Sequence, residues 1–270
     1  MLCFPNCKIN LGLSVIEKRQ DGFHNVETVM YPIGMNDILE IIISPNKKFT
    51  FQTSGINISG ERKHNLVVKA YKMLKKDFKL EPVEIHLHKT IPPGAGLGGG
   101  SADAAYAIKL LNNIFNLKLT VKQMQQYARQ LGSDCAFFIE NKPVLAYAKG
   151  DRFENIRVEL SDYCFIIVKP EIHINTTEAY SWIKPSTKDT SLKEVIRQPV
   201  EKWGNTLIND FEEVIFKRHP EIKKIKDRLY ELGAVYASMS GSGSAVYGIF
   251  KEQPEINNEF SDCFVWKDYY

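Results

Sequence analysis

No apolar run in the chain approaches the roughly 18 residues that crossing a bilayer requires, so the sequence predicts no membrane partner. Charge of one sign is missing as well. The 35 Lys and Arg residues stand against 32 Asp and Glu, a formal charge of +3, and no basic run is interleaved with aromatics. That balance excludes a nucleic-acid-binding reading. Lys47-Lys48 and Lys223-Lys224 read as solvated faces. The five cysteines (Cys3, Cys7, Cys135, Cys164 and Cys263) are scattered, odd in number and without CxxC spacing. They exclude a disulfide framework or a cysteine zinc site and predict a reducing compartment. No basic n-region leads into an apolar h-region, and the expectation is a cytoplasmic protein. Repeats and low-complexity segments are absent too. What remains is 270 residues, 44% hydrophobic and 25% charged, enough for one large domain or two modest ones.

What the chain does have is glycine concentrated in Ile91-Pro92-Pro93-Gly94-Ala95-Gly96-Leu97-Gly98-Gly99-Gly100-Ser101-Ala102-Asp103-Ala104-Ala105. Five glycines in seven residues lie between an apolar strand-like run and an Ala-rich helix start. Lacking Cβ atoms, such a loop brings backbone N–H groups close to a ligand. The helix behind it offers unpaired N–H groups and a partial positive charge. Together they predict a phosphate site over residues 92–102. Gly94, Gly96 and Gly99 formally satisfy G-x-G-x-x-G. A dinucleotide fold would also need a second strand ending in an acidic residue, yet residues 117–126 read as helix, and Pro92-Pro93 part the glycines from their strand. No Gly-Lys-Ser/Thr follows for a Walker A loop, and the later protein-kinase signatures are missing.

Strands are predicted from Phe4 to Val15, over Ile38 to Ile43, and over Val83 to His88, whose alternation marks a half-buried strand. Asn65 caps a helix whose face is Leu66, Val67, Ala70, Tyr71 and Leu74. Further helices are expected from Ser101 to about Phe115 and from Thr120, in capping-box spacing with Gln123, to Leu131. Phe137 to Ile139 and Val144 to Tyr147 read as a strand pair. The chain turns polar from Gly150 to Asp162, which predicts domains at 1–155 and 156–270. Beyond it lie a buried strand (Tyr163 to Val168), helices near 177–182, 209–217 and 221–232, and strands at 236–238 and 245–250 around the loop Ser240-Gly241-Ser242-Gly243. A short helix and a strand from Cys263 to Trp266 follow. Most of the sequence between Thr187 and Trp203 reads as a mobile surface insert. The mixture is α+β in two layers.

Three segments in order resemble the GHMP kinases: Pro5-Asn6-Cys7-Lys8-Ile9-Asn10-Leu11, the Gly-rich loop, and Met239-Ser240-Gly241-Ser242-Gly243-Ser244-Ala245. Asp21-Gly22-Phe23-His24, Asp37 and Leu131-Gly132-Ser133-Asp134 resemble the branch that phosphorylates the 2-hydroxyl of 4-diphosphocytidyl-2-C-methyl-D-erythritol with ATP, in the non-mevalonate isoprenoid pathway. The resemblance implies a two-domain fold, the second domain ferredoxin-like, with the active site in the cleft between domains. It implies ATP and Mg²⁺, a small-molecule substrate carrying a cytidine diphosphate group, and a monomer or homodimer.

It also assigns residues. Lys8 and Asp134 map onto the family's catalytic Lys and Asp. A carboxylate at 134 would take the hydroxyl proton or hold the hydroxyl in line, and a lysine beside it would stabilise the developing alkoxide. Asn10, two residues along the strand from Lys8, shares its face and would contact substrate. His24 would meet the cytosine or other polar groups of the substrate. Phe23 stands where the family usually has Tyr, keeping the ring face without the hydroxyl, and Tyr180 would stack on the base from the other side. Gly241, Ser242 and Gly243 would close over the transferring phosphate. Asp134, Ser101 and Asp103 are candidates for metal contact, with few protein ligands expected. A mevalonate- or homoserine-type kinase and a non-catalytic ATP/sugar sensor on the same fold are the alternatives.

Overall fold

The computed structural model describes residues 1–58, 60–187, 191–256 and 258–268. Its strands are β1 (Leu2–Cys3), β2 (Asn6–Lys18), β3 (His24–Asn36), β4 (Ile38–Ile43), β5 (Thr50–Gly55), β6 (Val83–Lys89), β7 (Val144–Tyr147), β8 (Arg152–Asn155), β9 (Cys164–Pro170), β10 (Tyr236–Met239), β11 (Val246–Phe250) and β12 (Cys263–Lys267). Its α-helices are α1 (Leu66–Phe78), α2 (Gly99–Ile114), α3 (Val121–Leu131), α4 (Phe137–Glu140), α5 (Thr176–Trp182), α6 (Leu192–Val195), α7 (Asp210–Arg218) and α8 (Pro220–Glu231). Helices and strands mix as expected of an α+β fold, and among the described residues no helix is long and apolar enough to cross a membrane.

Contacts divide the chain into two units, each discontinuous in sequence: residues 1–8, 32–93 and 98–142, and residues 9–31, 94–97 and 143–270. These units are defined by contacts, whereas the division expected at residue 155 is one of sequence.

In the first unit the sheet order is β1-β4-β6-β5, antiparallel except for the parallel pair β5 and β6. Val83, Ile85 and Leu87 point alternately into the core, as a period of two requires. The Asn65 side chain accepts the Val67 N–H and so caps α1, whose Val67, Ala70, Tyr71 and Leu74 are buried. Ala102, Ala104, Ala105 and Ala107 are fully buried, and these small residues let α2 lie close to its neighbours. The Thr120–Gln123 capping box opens α3.

In the second unit an antiparallel sheet, β10-β11-β9-β12, packs its Ile166, Val168, Val246 and Phe250 against Phe211 and Ile215 of α7 and Ile222 and Leu229 of α8. A third sheet has the order β2-β3-β7-β8. Its first two strands each begin in one unit and finish in the other.

Four local expectations are corrected. Phe137 to Glu140 is a helical turn, not a strand. Its apolar residues are buried whichever way they point, and a short apolar run carries no period that separates strand from helix. The partners of β7 are instead β3, through Thr28 to Met30, and β8, which lies inside the stretch expected to be only a polar boundary. The segment from Ser191 to Trp203 is not a surface insert. Leu192, Val195, Ile196 and Val200 are buried at helical spacing, and Trp203, 1% exposed, meets Tyr236 edge-on at 5.6 Å. Lys188, Asp189 and Thr190 of that prediction lie outside the described residues. No helix appears between Phe250 and Cys263 among the described residues, where the chain runs in turns.

Candidate active site

Lys8 sits on β2 between Cys7 and Ile9, both fully buried, where packing alone would not place a charge. Its Nζ lies 3.3 Å from Asp134 Oδ2; the lysine side chain is 4% exposed and the carboxylate 31%. Asp134 stands in the turn after α3, held by the Cys135 N–H on the Gly132 carbonyl and the Phe137 N–H on its own carbonyl. Partial exposure leaves it open to a ligand while its partner is dry. Gly98 sets this geometry from the other side. With φ +72° it starts α2, and a Cβ there would come within 3.2 Å of Lys8 Cε and 3.1 Å of Phe138 Cζ. The lysine stem therefore runs against a backbone that must have no side chain.

The other loop glycines have separable causes. A Cβ on Gly94 would meet His173 Nδ1 at 2.8 Å, and one on Gly99 would meet Ile91 Cγ2 at 2.8 Å. Gly100 is different. It is exposed in the first turn of α2, and nothing lies within 4 Å of its absent Cβ. Alanine would favour the helix there by about 0.5–1 kcal/mol, so the fold itself does not call for glycine. A phosphate bound against the backbone there would. Gly100→Ala is expected to hold or raise the melting temperature while weakening ATP about tenfold, near 1.4 kcal/mol. Unchanged nucleotide affinity, read by titration calorimetry, would contradict this.

Beneath the loop lies a buried charge cluster that the sequence reading missed. Lys89 Nζ bonds Asp37 Oδ2 and, at 2.8 Å, Asp103 Oδ2; the three side chains are no more than 4% exposed. Asp37 Oδ1 accepts the Thr90 and Ile91 N–H groups at 2.7 and 2.9 Å, just before Pro92. Lys89 thus ties the strand entering the loop to the helix leaving it. A signal was present: Lys89 continues the buried face of Val83, Ile85 and Leu87, where a lysine needs a partner. Burial pulls the Lys89 ammonium down, but the two carboxylates outweigh it and hold it above the ordinary lysine value.

Asp103 is pushed up to about 7, chiefly by burial, with Lys89 opposing and Asp37 reinforcing the shift. Its Oδ1 has no partner. The folded state therefore holds this proton more tightly than the unfolded chain. Stability falls as pH rises from the ordinary carboxylate range, near 4, through about 7. Asp103→Asn is expected to flatten that slope between pH 5 and 8 in urea melts; parallel curves would refute it.

In the second unit the two glycine loops are joined. Ser240 Oγ donates to the Gly96 carbonyl at 2.9 Å, and the Ala245 N–H donates to the Ala95 carbonyl at 3.1 Å. A Cβ on Gly96 would lie 2.0 Å from Ser240 O. Ser240 Oγ also accepts the Asn10 N–H at 3.3 Å, and Tyr247 Oη donates to the Asn10 carbonyl at 2.8 Å. The Asn10 amide is buried, donating to Thr28 Oγ1 at 3.0 Å, with Gly241 beside its Oδ1.

Phe23 is 54% exposed, in a turn held by Asp21, with Lys149 Nζ 4.8 Å from its ring centre. The ring stacked on Tyr180 is that of His24, at 4.8 Å and 15°, while Phe211 meets Tyr180 edge-on at 4.9 Å. Burial, and then Lys18, lower the His24 pKa, which favours the neutral ring in this stack.

Among the described residues no group of three or more His, Cys, Asp or Glu could hold a metal. Asp103 is unsuited to one, because the Lys89 ammonium already occupies its Oδ2. Ser101, at the start of α2, and Asp134 fit a Mg²⁺ held mainly by phosphate and water.

The family description GHMP kinases N terminal domain matches residues 65–142, and GHMP kinases C terminal matches residues 191–262. A 4-diphosphocytidyl-2-C-methyl-D-erythritol kinase of Bacteroides fragilis is 52% identical over 269 residues, 98% of each chain. A crystal structure of a 4-(cytidine 5'-diphospho)-2C-methyl-D-erythritol kinase superposes with a TM-score of 0.79 at 28% identity, covering 92% of this chain and 90% of that one. The Methanococcus jannaschii mevalonate kinase, with a TM-score of 0.72 and 16% identity over 99% and 97%, shares the fold. With half-identity along nearly its whole length, the chain belongs to the 4-diphosphocytidyl-2-C-methyl-D-erythritol kinase family of the GHMP kinases.

Proposed function

We propose that this chain transfers the γ-phosphoryl group of ATP to the 2-hydroxyl of 4-diphosphocytidyl-2-C-methyl-D-erythritol, with Lys8 and Asp134 as its catalytic pair. The observation that carries this is the dry lysine 3.3 Å from a part-exposed carboxylate, with Gly98 of the glycine-rich segment against the lysine stem. Asp134 accepts the proton of the hydroxyl as its oxygen bonds to phosphorus and ADP leaves. Lys8, with its ammonium 3.3 Å from the carboxylate, stabilises negative charge on the oxygen. The N–H groups of residues 94–102 and the start of α2 bind the phosphates. Mg²⁺ accompanies ATP, neutralising its β and γ oxygens, with Ser101 and Asp134 as the protein groups that would face it. Asn10 contacts the substrate, and residues 241–243 close over the transferring phosphate. Phe23 and Tyr180 hold the cytosine, and His24, stacked on Tyr180, meets the polar groups of the substrate. The family models fall on either side of residue 155, which supports 1–155 and 156–270 as the sequence-level domains. The composition supports a cytoplasmic setting.

The test is ADP release from MgATP with the cytidyl acceptor, mevalonate or homoserine. Turnover is expected with the first alone. Turnover with another acceptor would sink the substrate assignment, and none with any would favour the sensor reading.

A further inference from the structure

We propose that Asn209 and Glu212, at the start of α7, are positioning residues for phosphoryl transfer that act through the second glycine loop. The proposal rests on the kinase reading above.

Asn209 is fully buried and does more than cap a helix. Its Oδ1 accepts the Phe211 N–H at 3.0 Å, which is all that capping requires. Its Nδ2 donates to the Met239 carbonyl at 2.7 Å and to the Gly241 carbonyl at 2.8 Å. Glu212 completes the hold. Its Oε1 accepts the Met239 N–H at 2.8 Å and the Ser238 hydroxyl at 2.9 Å, while Lys226 binds Oε2 at 2.6 Å. Both peptide groups of Met239 and the carbonyl of Gly241 are therefore fixed by two side chains of one helix end.

Two consequences follow from covalent geometry. The Gly241–Ser242 peptide is trans, so its N–H points opposite to its C=O. Turning the Gly241 carbonyl toward Asn209 turns the Ser242 N–H away from it. Ser242 is 8% exposed, and among the described residues this N–H has no partner, although its hydroxyl meets Thr176. An N–H left over in this way is open to an acceptor, and a phosphate oxygen supplies one. Second, fixing Met239 fixes Ser240, whose hydroxyl holds the Gly96 carbonyl of the first loop and the backbone of Asn10. Asn209 thus aims one donor and sets the spacing of the two loops.

The decisive variant is Asn209→Ser, which keeps a capping oxygen and deletes both amide donors. The comparison is Ile215→Val, a core trim in the same helix that destabilises without touching the loop. Melting temperature, kcat, and KM for ATP and the cytidyl acceptor are measured for both beside wild type. Asn209→Ser is expected to lose about 10²-fold in kcat, the usual effect of removing one aimed donor, with KM for the acceptor unchanged. Ile215→Val should keep kcat while it is folded. Equal kcat in the two variants, with an active wild type, overturns this proposal alone; an inactive wild type overturns the kinase reading and this proposal with it. Should Asn209→Ser fail to fold, Glu212 decides. Glu212→Gln, which still accepts the Met239 N–H, is expected near wild type, and Glu212→Ala about tenfold lower in kcat. Equal kcat in that pair overturns the proposal.

Discussion

Asparagine at position 134 is expected to lower kcat about 10²–10⁴-fold, the range of a positioned general base. The amide keeps the shape of the carboxylate and can still orient a hydroxyl, but it cannot take the proton. The substitution therefore separates the two roles the sequence left open. A loss under tenfold would assign Asp134 to orientation alone. A second effect accompanies the first, because Lys8 is 4% exposed and loses its counter-charge. Breaking a buried pair by removing one partner is destabilising, here softened by the 31% exposure of the carboxylate. Steady-state kinetics at a temperature where circular dichroism shows a folded variant isolates the catalytic loss.

Gly96→Ala is expected to abolish measurable turnover. An alanine at φ +78° costs about 1–2 kcal/mol from conformation alone. The larger effect is steric. Its Cβ would lie 2.0 Å from Ser240 O and 2.9 Å from the carbonyl carbon, both main-chain atoms that cannot rotate aside. The loops must part, breaking the Ser240–Gly96 and Ala245–Ala95 bonds. Gly100→Ala, four residues on and in open space, is the internal control. Loss of turnover at 96 with only a nucleotide-affinity change at 100 is the expected pattern; wild-type kcat for Gly96→Ala would refute the coupling of the loops.

Much of this arrangement was legible in the sequence because local chemistry determined it. The Asn65 cap, the Thr120–Gln123 capping box and the alternation of β6 each depend on residues within one turn or one strand. The glycine loop was legible for the same reason. What escaped depends on partners far apart in sequence. Phe137 to Ile139 became helical because burial on every side leaves no period to read. The chain from Ser191 to Trp203 hid its apolar spacing among Lys, Arg, Glu and Gln. The ion pair of Lys89 depends on Asp37, 52 residues earlier. The amide bonds of Asn209 reach 30 and 32 residues ahead. The proposed cytosine slot fell between these cases: its aromatic residues were picked out, but the stacking of His24 on Tyr180 is a tertiary choice.

The most direct measurement is single-turnover transfer of labelled γ-phosphate from ATP to 4-diphosphocytidyl-2-C-methyl-D-erythritol by wild type, Lys8→Met, Asp134→Asn and the double variant. If the lysine and the carboxylate act as one unit, both single variants are slow and the double is no slower than the slower of them. Losses that multiply in the double variant, or transfer by Asp134→Asn at the wild-type rate, would contradict the catalytic pair.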